Sequence, residues 1–237
     1  MILWDEPGYL VAFTTRVGGV SEGPYDSLNL TTGTGDDPAR VERNRELACE
    51  AVGVPFESLA FNRQVHSPTV HRARAAARGE PGDGLWSDEP GISMLAMSAD
   101  CLPIAVLRTG GAPGLAVLHA GWRGLSEGVV AAGVASLCAD STQASGLAAS
   151  SLAAIVGPAI GPCCYEVGPE VSSLFAPDLT RDRKLDLWTA AERALLHAGV
   201  ERVERVDLCT RCHPELFFSH RRDGRARGVQ GVLGAVA

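Results

Sequence analysis

Apolar and polar positions alternate along the chain in short runs that end at glycine, proline or aspartate. This pattern is typical of β-strands, because the side chains of a strand point alternately to its two faces and turn residues end it. The pattern predicts strands at Val11–Thr15, Leu59–Val65, Ile104–Arg108, Leu115–Leu118 and Ala153–Val156.

A first helix is predicted where aspartate and proline precede an apolar stripe. It begins near Asp36 or Asp37, includes Pro38 in its first turn and ends by Gly53. Aspartate is a favoured N-cap, proline suits a first turn, and glycine commonly ends a helix. Asn44 interrupts the apolar stripe of this helix. It makes either a buried structural hydrogen bond or a contact with a substrate, and the sequence leaves both open.

Two further segments carry apolar residues at helical spacing. They are Leu125 to Leu137 and Leu187 to His197, the second with Asp186 as its N-cap and Gly199 as its stop. The Ala/Ser-rich segment 141–151 is predicted to be a loop. Strands and helices do not follow a regular βαβα rhythm, which favours a mixed α/β arrangement over a doubly wound parallel sheet. We expect a single domain over residues 1–237, since no repeat or linker interrupts the pattern.

Composition and charge exclude several classes of protein. The chain has 237 residues, of which 46% are hydrophobic, enough for a substantial core. Its net charge of -7 provides no basic stripe for a nucleic acid or an anionic membrane. An anionic substrate would therefore require a local arginine cluster. The first residues, MILWDEPGYLVAF, lack a basic region, and no apolar run approaches the roughly 20 residues of a membrane span, so we expect a cytoplasmic protein.

The seven cysteines form an odd set, which argues for thiols rather than a disulfide framework. The segment from Cys209 through Cys212 to His213 has the C-x-x-C-H form of a haem attachment site, but haem attachment belongs to exported proteins. The same segment could be half of a zinc knuckle, but the chain has no second C-x-x-C pair to complete it. Free thiols packed near a strand are therefore favoured. Cys163 and Cys164 lie in GPAIGPCCYEVG, where small buried thiols are favoured over a redox pair.

Three segments that lie far apart in the sequence each contain a potential metal ligand. They are FNRQVHS at His66, MSADCLP at Cys101 and LAVLHAGW at His119. Two imidazoles and a thiolate suit Zn²⁺, and three protein ligands with an open fourth position are typical of catalytic zinc. Because the gaps between them are long, spacing alone does not establish the site. Asp100, beside Cys101, either acts as an acid or base or caps a turn.

Seven motifs along nearly the whole chain resemble the YfiH family. They are FTTRVGGVSEGPYDSLNL, NRQVHS, DGLWSDEPG, SADCLP, HAGWRG, GPAIGPCCYEVG and CTRCHPELFFSHRRDG. Members of that family were described first as laccase-like polyphenol oxidases and later as purine nucleoside phosphorylases with deaminase side activities. The resemblance implies an α+β sandwich of mixed β-sheets flanked by helices, with a zinc ion held by His66, Cys101 and His119.

The resemblance also implies a reaction, the zinc-dependent phosphorolysis of inosine or adenosine, with adenosine deamination as a side activity. A purine nucleoside and phosphate are then the expected partners. Arg16 and Arg123 are the candidate phosphate-binding residues, with Asn44 as a further substrate contact. Asp100 and Arg123 are the candidate catalytic residues. The family usually has glycine where this chain has Ser67, which changes the local turn or the shape of the pocket.

Other functions stay open at this point. A laccase requires a histidine-rich multinuclear copper centre. The chain has six histidines, and the four that remain after His66 and His119 are assigned to the zinc site do not supply such a centre. Cu²⁺ can nevertheless replace zinc at nitrogen and sulfur ligands. Members of the family are also linked to the hydrolysis of misincorporated peptidoglycan precursors. A zinc-binding partner protein without catalysis is a further alternative. The sequence determines neither the physiological substrate nor the oligomeric state.

Overall fold

The computed structural model describes residues 1–139 and 151–237. The strands are β1 (Ile2–Glu6), β2 (Tyr9–Phe13), β3 (Ala60–Arg63), β4 (Val70–Arg72), β5 (Arg78–Pro81), β6 (Gly84–Ser87), β7 (Met94–Ser98), β8 (Leu102–Arg108), β9 (Leu115–Ala120), β10 (Leu152–Val156), β11 (Thr180–Arg181), β12 (Lys184–Leu185), β13 (Arg202–Arg205) and β14 (Gln230–Val236). The α-helices are α1 (Pro38–Val52), α2 (Trp122–Glu127), α3 (Val129–Ala139), α4 (Pro169–Ser172), α5 (Leu187–His197) and α6 (His220–Asp223). All but Ser151 of the predicted loop 141–151 lies outside the described residues.

Twelve of these strands form two six-stranded sheets. Sheet 1 has the order β1-β2-β14-β7-β3-β5 and sheet 2 the order β13-β10-β8-β9-β6-β4. In sheet 1, β3 runs parallel to both β7 and β5, while the other neighbours are antiparallel. In sheet 2, β13 with β10 and β4 with β6 are the parallel pairs. Both sheets are mixed, which confirms the expected α+β class.

The two sheets pack face to face, and helices cover their outer faces. The layer between them is apolar and includes Phe13 and Met94 from sheet 1 and Val117 from sheet 2. Helix α1 covers sheet 1, while α3 and α5 cover sheet 2. The sandwich flanked by helices is therefore confirmed. None of the helices within residues 1–139 and 151–237 combines the length and apolarity that a bilayer span requires.

The capping residues predicted where α1 and α5 begin and end to within about two residues. In α1 the Asp37 side chain accepts a hydrogen bond from the backbone of Ala39, and Gly53 ends the helix with a φ of 82°. In α5 the Asp186 side chain accepts from the backbone of Thr189. All five predicted strands exist, with their ends shifted by a few residues.

The single helix predicted from Leu125 to Leu137 is wrong, because the structure has two helices there. Gly128 lies between α2 and α3 with a φ of 96°, and its N–H donates to the carbonyls of Gly124 and Leu125. This left-handed conformation ends α2, and it suits glycine because a residue with a Cβ atom would be strained there. As a result α2 is a short helix whose first turn directly follows β9.

The left-handed Gly128 makes the break between α2 and α3 testable. We expect Gly128→Ala to lower the free energy of unfolding by about 1–2 kcal/mol, because an L-residue is strained at positive φ. Gly128→Asn should lose less, since asparagine tolerates this conformation better. Chemical denaturation of the three proteins measures the difference. An alanine variant as stable as the parent would contradict the assigned backbone.

Candidate metal centre

His66, Cys101 and His119 meet at one end of the β-sandwich. His119 lies near the end of β9 and pairs with Pro103 of β8. Cys101 directly precedes β8, so the antiparallel pairing brings the thiol beside the histidine. His66 comes from the loop after β3, which belongs to the other sheet. The site therefore depends on how the two sheets pack, and the long gaps in sequence reflect that.

The spacing of the three side chains suits one metal ion. Their ligand atoms lie within 4.8 Å of one another, and the Cys101 Sγ is 3.9 Å from the His66 Nε2. The two imidazole rings are 4.9 Å apart between centroids and stand at 78° to each other. Ligand atoms on a tetrahedral zinc ion would be about 3.3–3.8 Å apart. The distances between the ligand atoms in this structure are slightly longer than these values, so the three side chains need to move only a little closer together to hold a zinc ion.

The thiol of Cys101 and the imidazole of His119 stabilise each other's charged forms. Burial raises the pKa of the Cys101 thiol, but the neighbouring His119 and His66 outweigh this effect and lower it to about 6. Burial lowers the pKa of His119, while Cys101 and Asp83 raise it to about 9. Cys101 is thus a thiolate near neutral pH, the form in which cysteine binds metals. A metal ion at this position would displace the proton of His119.

Asp83, the first residue of the DGLWSDEPG motif, was not among the predicted site residues, yet it fixes the orientation of two of the three candidate ligands. Its buried carboxylate accepts a hydrogen bond from the His119 Nδ1 at 2.8 Å and one from the backbone N–H of His66 at 3.0 Å. Burial raises the pKa of Asp83, but bonds from His119, Ser67 and Val65 hold it well below its usual range. An ionised Asp83 makes Nδ1 the donor and leaves the His119 Nε2 free for a metal.

Ser67, where the resemblance implies a glycine, takes part in the same network. Its backbone N–H and its hydroxyl both donate to the Asp83 carboxylate, at 2.7 and 2.9 Å. The hydroxyl also accepts from the backbone of Thr69 at 3.3 Å. The serine therefore gives Asp83 one hydrogen bond that a glycine cannot, and it does not enter the ligand set.

The backbone around the ligands is unusually constrained. His66 has a φ of 62° and Asp100 a φ of 88°, both in the left-handed region that non-glycine residues rarely adopt. Gly121 lies so close that an added Cβ would be 2.8 Å from the His66 Cδ2 and 3.0 Å from the Cys101 Sγ. Strained residues and a close glycine approach are typical of functional sites. The HAGW turn thus carries a glycine because the ligands lie against it.

The ligand group opens on a cavity of about 1120 Å³, slightly above the roughly 300–1,000 Å³ of typical small-molecule sites. Five arginines and one carboxylate, Asp100, are among the described residues that line it. The chain as a whole has a net charge of -7, so the arginines create a local anion-binding environment. These arginines are Arg45, Arg63, Arg221, Arg225 and Arg227.

Asp100 lies at the cavity, but both of its carboxylate oxygens already accept hydrogen bonds. The Thr210 hydroxyl donates to one at 2.6 Å and the backbone N–H of Arg221 to the other at 2.7 Å. These two bonds attach the turn that contains Cys101 to the loop before α6 and to α6 itself. The geometry supports the interpretation of Asp100 as a turn anchor, and a role in proton transfer stays a prediction.

Arg16, a predicted phosphate-binding residue, is not among the residues that line the cavity. Its guanidinium stacks 4.6 Å from the centroid of the Phe218 ring and donates to the carbonyls of Asp26 and Pro214. It lines a separate small depression on the surface. Arg16 therefore holds the N-terminal loop against the C-terminal part of the chain, and its role in phosphate binding stays a prediction that this placement does not support.

Asn44 and Arg123 are also outside the cavity lining. The fully buried Asn44 uses its amide for the Val20 N–H, the Ser21 hydroxyl and the Asn29 carbonyl. These are the structural hydrogen bonds that the sequence left open as the alternative to a substrate contact. Arg123 is exposed and packs 5.1 Å from the ring centroid of its neighbour Trp122.

In each of these last two cases the adjacent residue lines the cavity instead. Arg45 follows Asn44 on α1, packs 4.2 Å from the ring centroid of Phe61 and donates to the Leu30 carbonyl. Trp122 precedes Arg123 at the start of α2. An arginine inside an otherwise apolar helix stripe was the available signal for Arg45. No comparable local signal indicates Arg227, which reaches the cavity from the loop between α6 and β14.

Comparisons with known proteins show which family the chain resembles over most of its length. A family model described as multi-copper polyphenol oxidoreductase laccase matches residues 10–236. An Escherichia coli K12 protein named purine nucleoside phosphorylase YfiH is 38% identical over 236 residues, covering 93% of this chain and 91% of that protein.

Two crystal structures share the fold. YlmD from Geobacillus stearothermophilus has a TM-score of 0.88 and 32% identity, covering 100% of this chain and 99% of that one. A Neisseria meningitidis protein has a TM-score of 0.84 and 33% identity, covering 98% and 95%. Matched over nearly its whole length by the family model and by these relatives, the chain belongs to the YfiH family of laccase-domain proteins.

Proposed function

We propose that this chain is a zinc-dependent purine nucleoside phosphorylase. The observation that carries the proposal is the opening of the His66, Cys101 and His119 group on an arginine-lined cavity. Zinc suits two imidazoles and a thiolate, and a zinc ion held by these three residues would keep a fourth position for a non-protein ligand. The named activity of relatives such as the Escherichia coli protein supports the same reaction.

Arg227 is the arginine best placed to bind phosphate. Its buried Nε has no hydrogen-bond partner among the described residues. Burial lowers the pKa of Arg227 below its usual value, and the negative charges of Asp100 and Cys101 oppose this effect only in part. A buried donor without a partner is costly, and an anion that accepts from it removes this cost. We propose that phosphate binds there, with Arg45 of α1 as a second contact from the same cavity lining.

The nucleoside would occupy the rest of the cavity. Phe61, Trp122 and Tyr165 are aromatic residues of its lining and supply flat apolar surfaces suited to a purine. Phosphate held by the arginines would attack C1′ of the ribose as the base departs, giving ribose 1-phosphate and a free purine. Positioning of the two reactants is then the main contribution of the protein.

Deamination of adenosine is proposed as a slower activity of the same cavity. A bound zinc ion supplies an activated water near neutral pH, and this reaction does not need phosphate. By contrast, the oxidase chemistry in the description of the family model requires more copper ligands. Within the described residues the groups able to hold a metal are the His66 group and a set of four cysteines, and neither is the histidine-rich centre of a laccase.

The hydrogen bond from His119 to Asp83 leads to a prediction on metal affinity. Asp83→Asn should weaken zinc binding by about 10- to 100-fold, because the amide neither holds the His119 tautomer nor raises its basicity. Ser67→Gly removes one hydrogen bond to Asp83 and should cost much less. Competition titration with a zinc chelator measures both affinities. Unchanged affinity in Asp83→Asn would show that Asp83 does not orient the ligand.

The close approach of Gly121 leads to a second prediction. Gly121→Ala should lower zinc affinity by about 10-fold or more, because its Cβ displaces the His66 ring and the Cys101 sulfur. Gly110→Ala is the matched control, since a Cβ there meets nothing within 4 Å. The same chelator titration applies, together with circular dichroism to check folding. Equal affinity in the two variants would refute the steric argument.

The reaction itself is tested by product analysis. We expect the zinc-loaded protein to release hypoxanthine from inosine, and adenine from adenosine, only when phosphate is present, with ribose 1-phosphate as the second product. His119→Ala should abolish this activity. Arg227→Lys should raise the KM for phosphate by about 10- to 100-fold, because a lysine loses the forked hydrogen bonds while the charge remains. Chromatography of the products measures each rate.

Arg16→Lys and Arg123→Lys are the controls for the arginine variant, since both residues lie outside the cavity lining. Their KM for phosphate should equal that of the parent. Conversion of adenosine to inosine without phosphate would establish the deaminase activity. If no base is released, and His119→Ala behaves like the parent, the phosphorylase proposal fails. Hydrolysis of a peptidoglycan precursor is then the next activity to assay.

A further inference from the structure

We propose that the chain binds a second, structural zinc ion through Cys163, Cys164, Cys209 and Cys212. The four sulfur atoms lie within 4.8 Å of one another. The Cys212 Sγ is 3.4 Å from the Cys164 Sγ and 3.7 Å from the Cys163 Sγ. In a tetrahedral site with Zn–S bonds of about 2.3 Å, neighbouring sulfurs are about 3.8 Å apart. The cluster therefore already has nearly the dimensions of a four-thiolate zinc site.

The cluster joins two distant segments of the chain. Cys163 and Cys164 lie in the loop after β10, and the C-x-x-C pair from Cys209 to Cys212 lies after β13. The second pair of ligands that a zinc knuckle needs is thus the vicinal pair, which sequence spacing does not reveal. With four protein ligands the site is closed, as structural zinc sites are, in contrast to the open group at the cavity.

Neither hydrogen bonding among thiols nor a disulfide accounts for four sulfurs at one point. Thiols are weak hydrogen-bond donors and acceptors, so four of them gain little from mutual contact. A disulfide joins only two sulfurs, at about 2.05 Å, and all four cysteines are free thiols in this structure. Four soft ligands around one point are the typical environment of zinc. Binding converts four thiols and Zn²⁺ into a tetrathiolate complex of charge -2 and releases four protons.

The backbone around the cluster is arranged to support thiolates. The Gly161 N–H donates to the Cys209 Sγ at 3.3 Å. The Cys209 carbonyl accepts from the N–H groups of Cys212 and His213, which closes the turn between the two cysteines. The Cys164 N–H donates to the Gly161 carbonyl in a second tight turn. Hydrogen bonds to ligand atoms and short turns preorganise a metal site.

Both loops of the cluster are bonded to Asp100, next to the ligand Cys101. The Ile160 N–H donates to the Asp100 carbonyl at 2.9 Å, and the Thr210 hydroxyl donates to its carboxylate at 2.6 Å. A metal ion that crosslinks the two loops would therefore also restrain the turn that contains Cys101, through these two hydrogen bonds to Asp100. The second ion supports the geometry of the first site without contacting the cavity chemistry itself.

Metal counting on the full-length protein tests this proposal independently of the proposed function. Elemental analysis of protein purified without chelator should give two zinc ions per chain in the parent and in the Cys138→Ser control. The double variant Cys209→Ser/Cys212→Ser should retain one. Cys101→Ala/His119→Ala should also retain one, which is the ion of the four-cysteine cluster. With Co²⁺ in place of zinc, this last variant should still show the intense charge-transfer bands of a tetrathiolate site.

A second measurement on the unmodified protein covers the case in which the serine variant fails to fold. Cys163 and Cys212 are exposed, so iodoacetamide should alkylate them slowly in the zinc-loaded protein and at least 10-fold faster after chelation. One zinc ion per chain, with alkylation that is fast and unaffected by the chelator, would overturn the proposal. An intact mass lower by two hydrogens per disulfide, mapped to these cysteines, would overturn it as well.

Discussion

The carboxylate of Asp83 is the constraint on which the geometry of the candidate metal centre depends. It lies in the segment before β6 of sheet 2, yet it accepts hydrogen bonds from the loop after β3 of sheet 1 and from His119 of β9. Gly82 and Gly84 allow this approach, since a Cβ at either position would overlap neighbouring side chains. One buried anion thereby holds two ligands from different sheets, and its charge is balanced locally rather than by solvent.

The charged side chains that line the cavity are mainly positive, although the chain as a whole has a negative net charge. An acidic chain can bind an anion when a few arginines converge within a low-dielectric enclosure, because their field is screened less there than at the surface. The arginines of this cavity come from three parts of the chain: Arg45 from α1, Arg63 from β3, and Arg221, Arg225 and Arg227 from α6 and the loop after it. Net charge therefore gave no information about the cavity.

Prediction from the sequence succeeded where the determining interactions are local. The caps Asp37 and Asp186 contact the backbone two or three residues away, so helix boundaries could be read directly. Gly128 was missed as a break because an apolar stripe continues through it. The three ligands were found by their chemistry and by the family resemblance. Asp83 and Arg227 act only through tertiary contacts, and no periodicity in the sequence indicates which distant residues they face.

Strand β14 has a consequence for how the molecule is made. It is the last strand along the chain but lies in the middle of sheet 1, between β2 and β7. A nascent chain on the ribosome thus has its metal ligands and Asp83 long before residues 230–236 can complete the sheet. Until then β2 and β7 present unpaired edges that favour association with other chains. Closure of sheet 1 is therefore a late, non-local event in biosynthesis, and the interval before it is when a chaperone would be needed most.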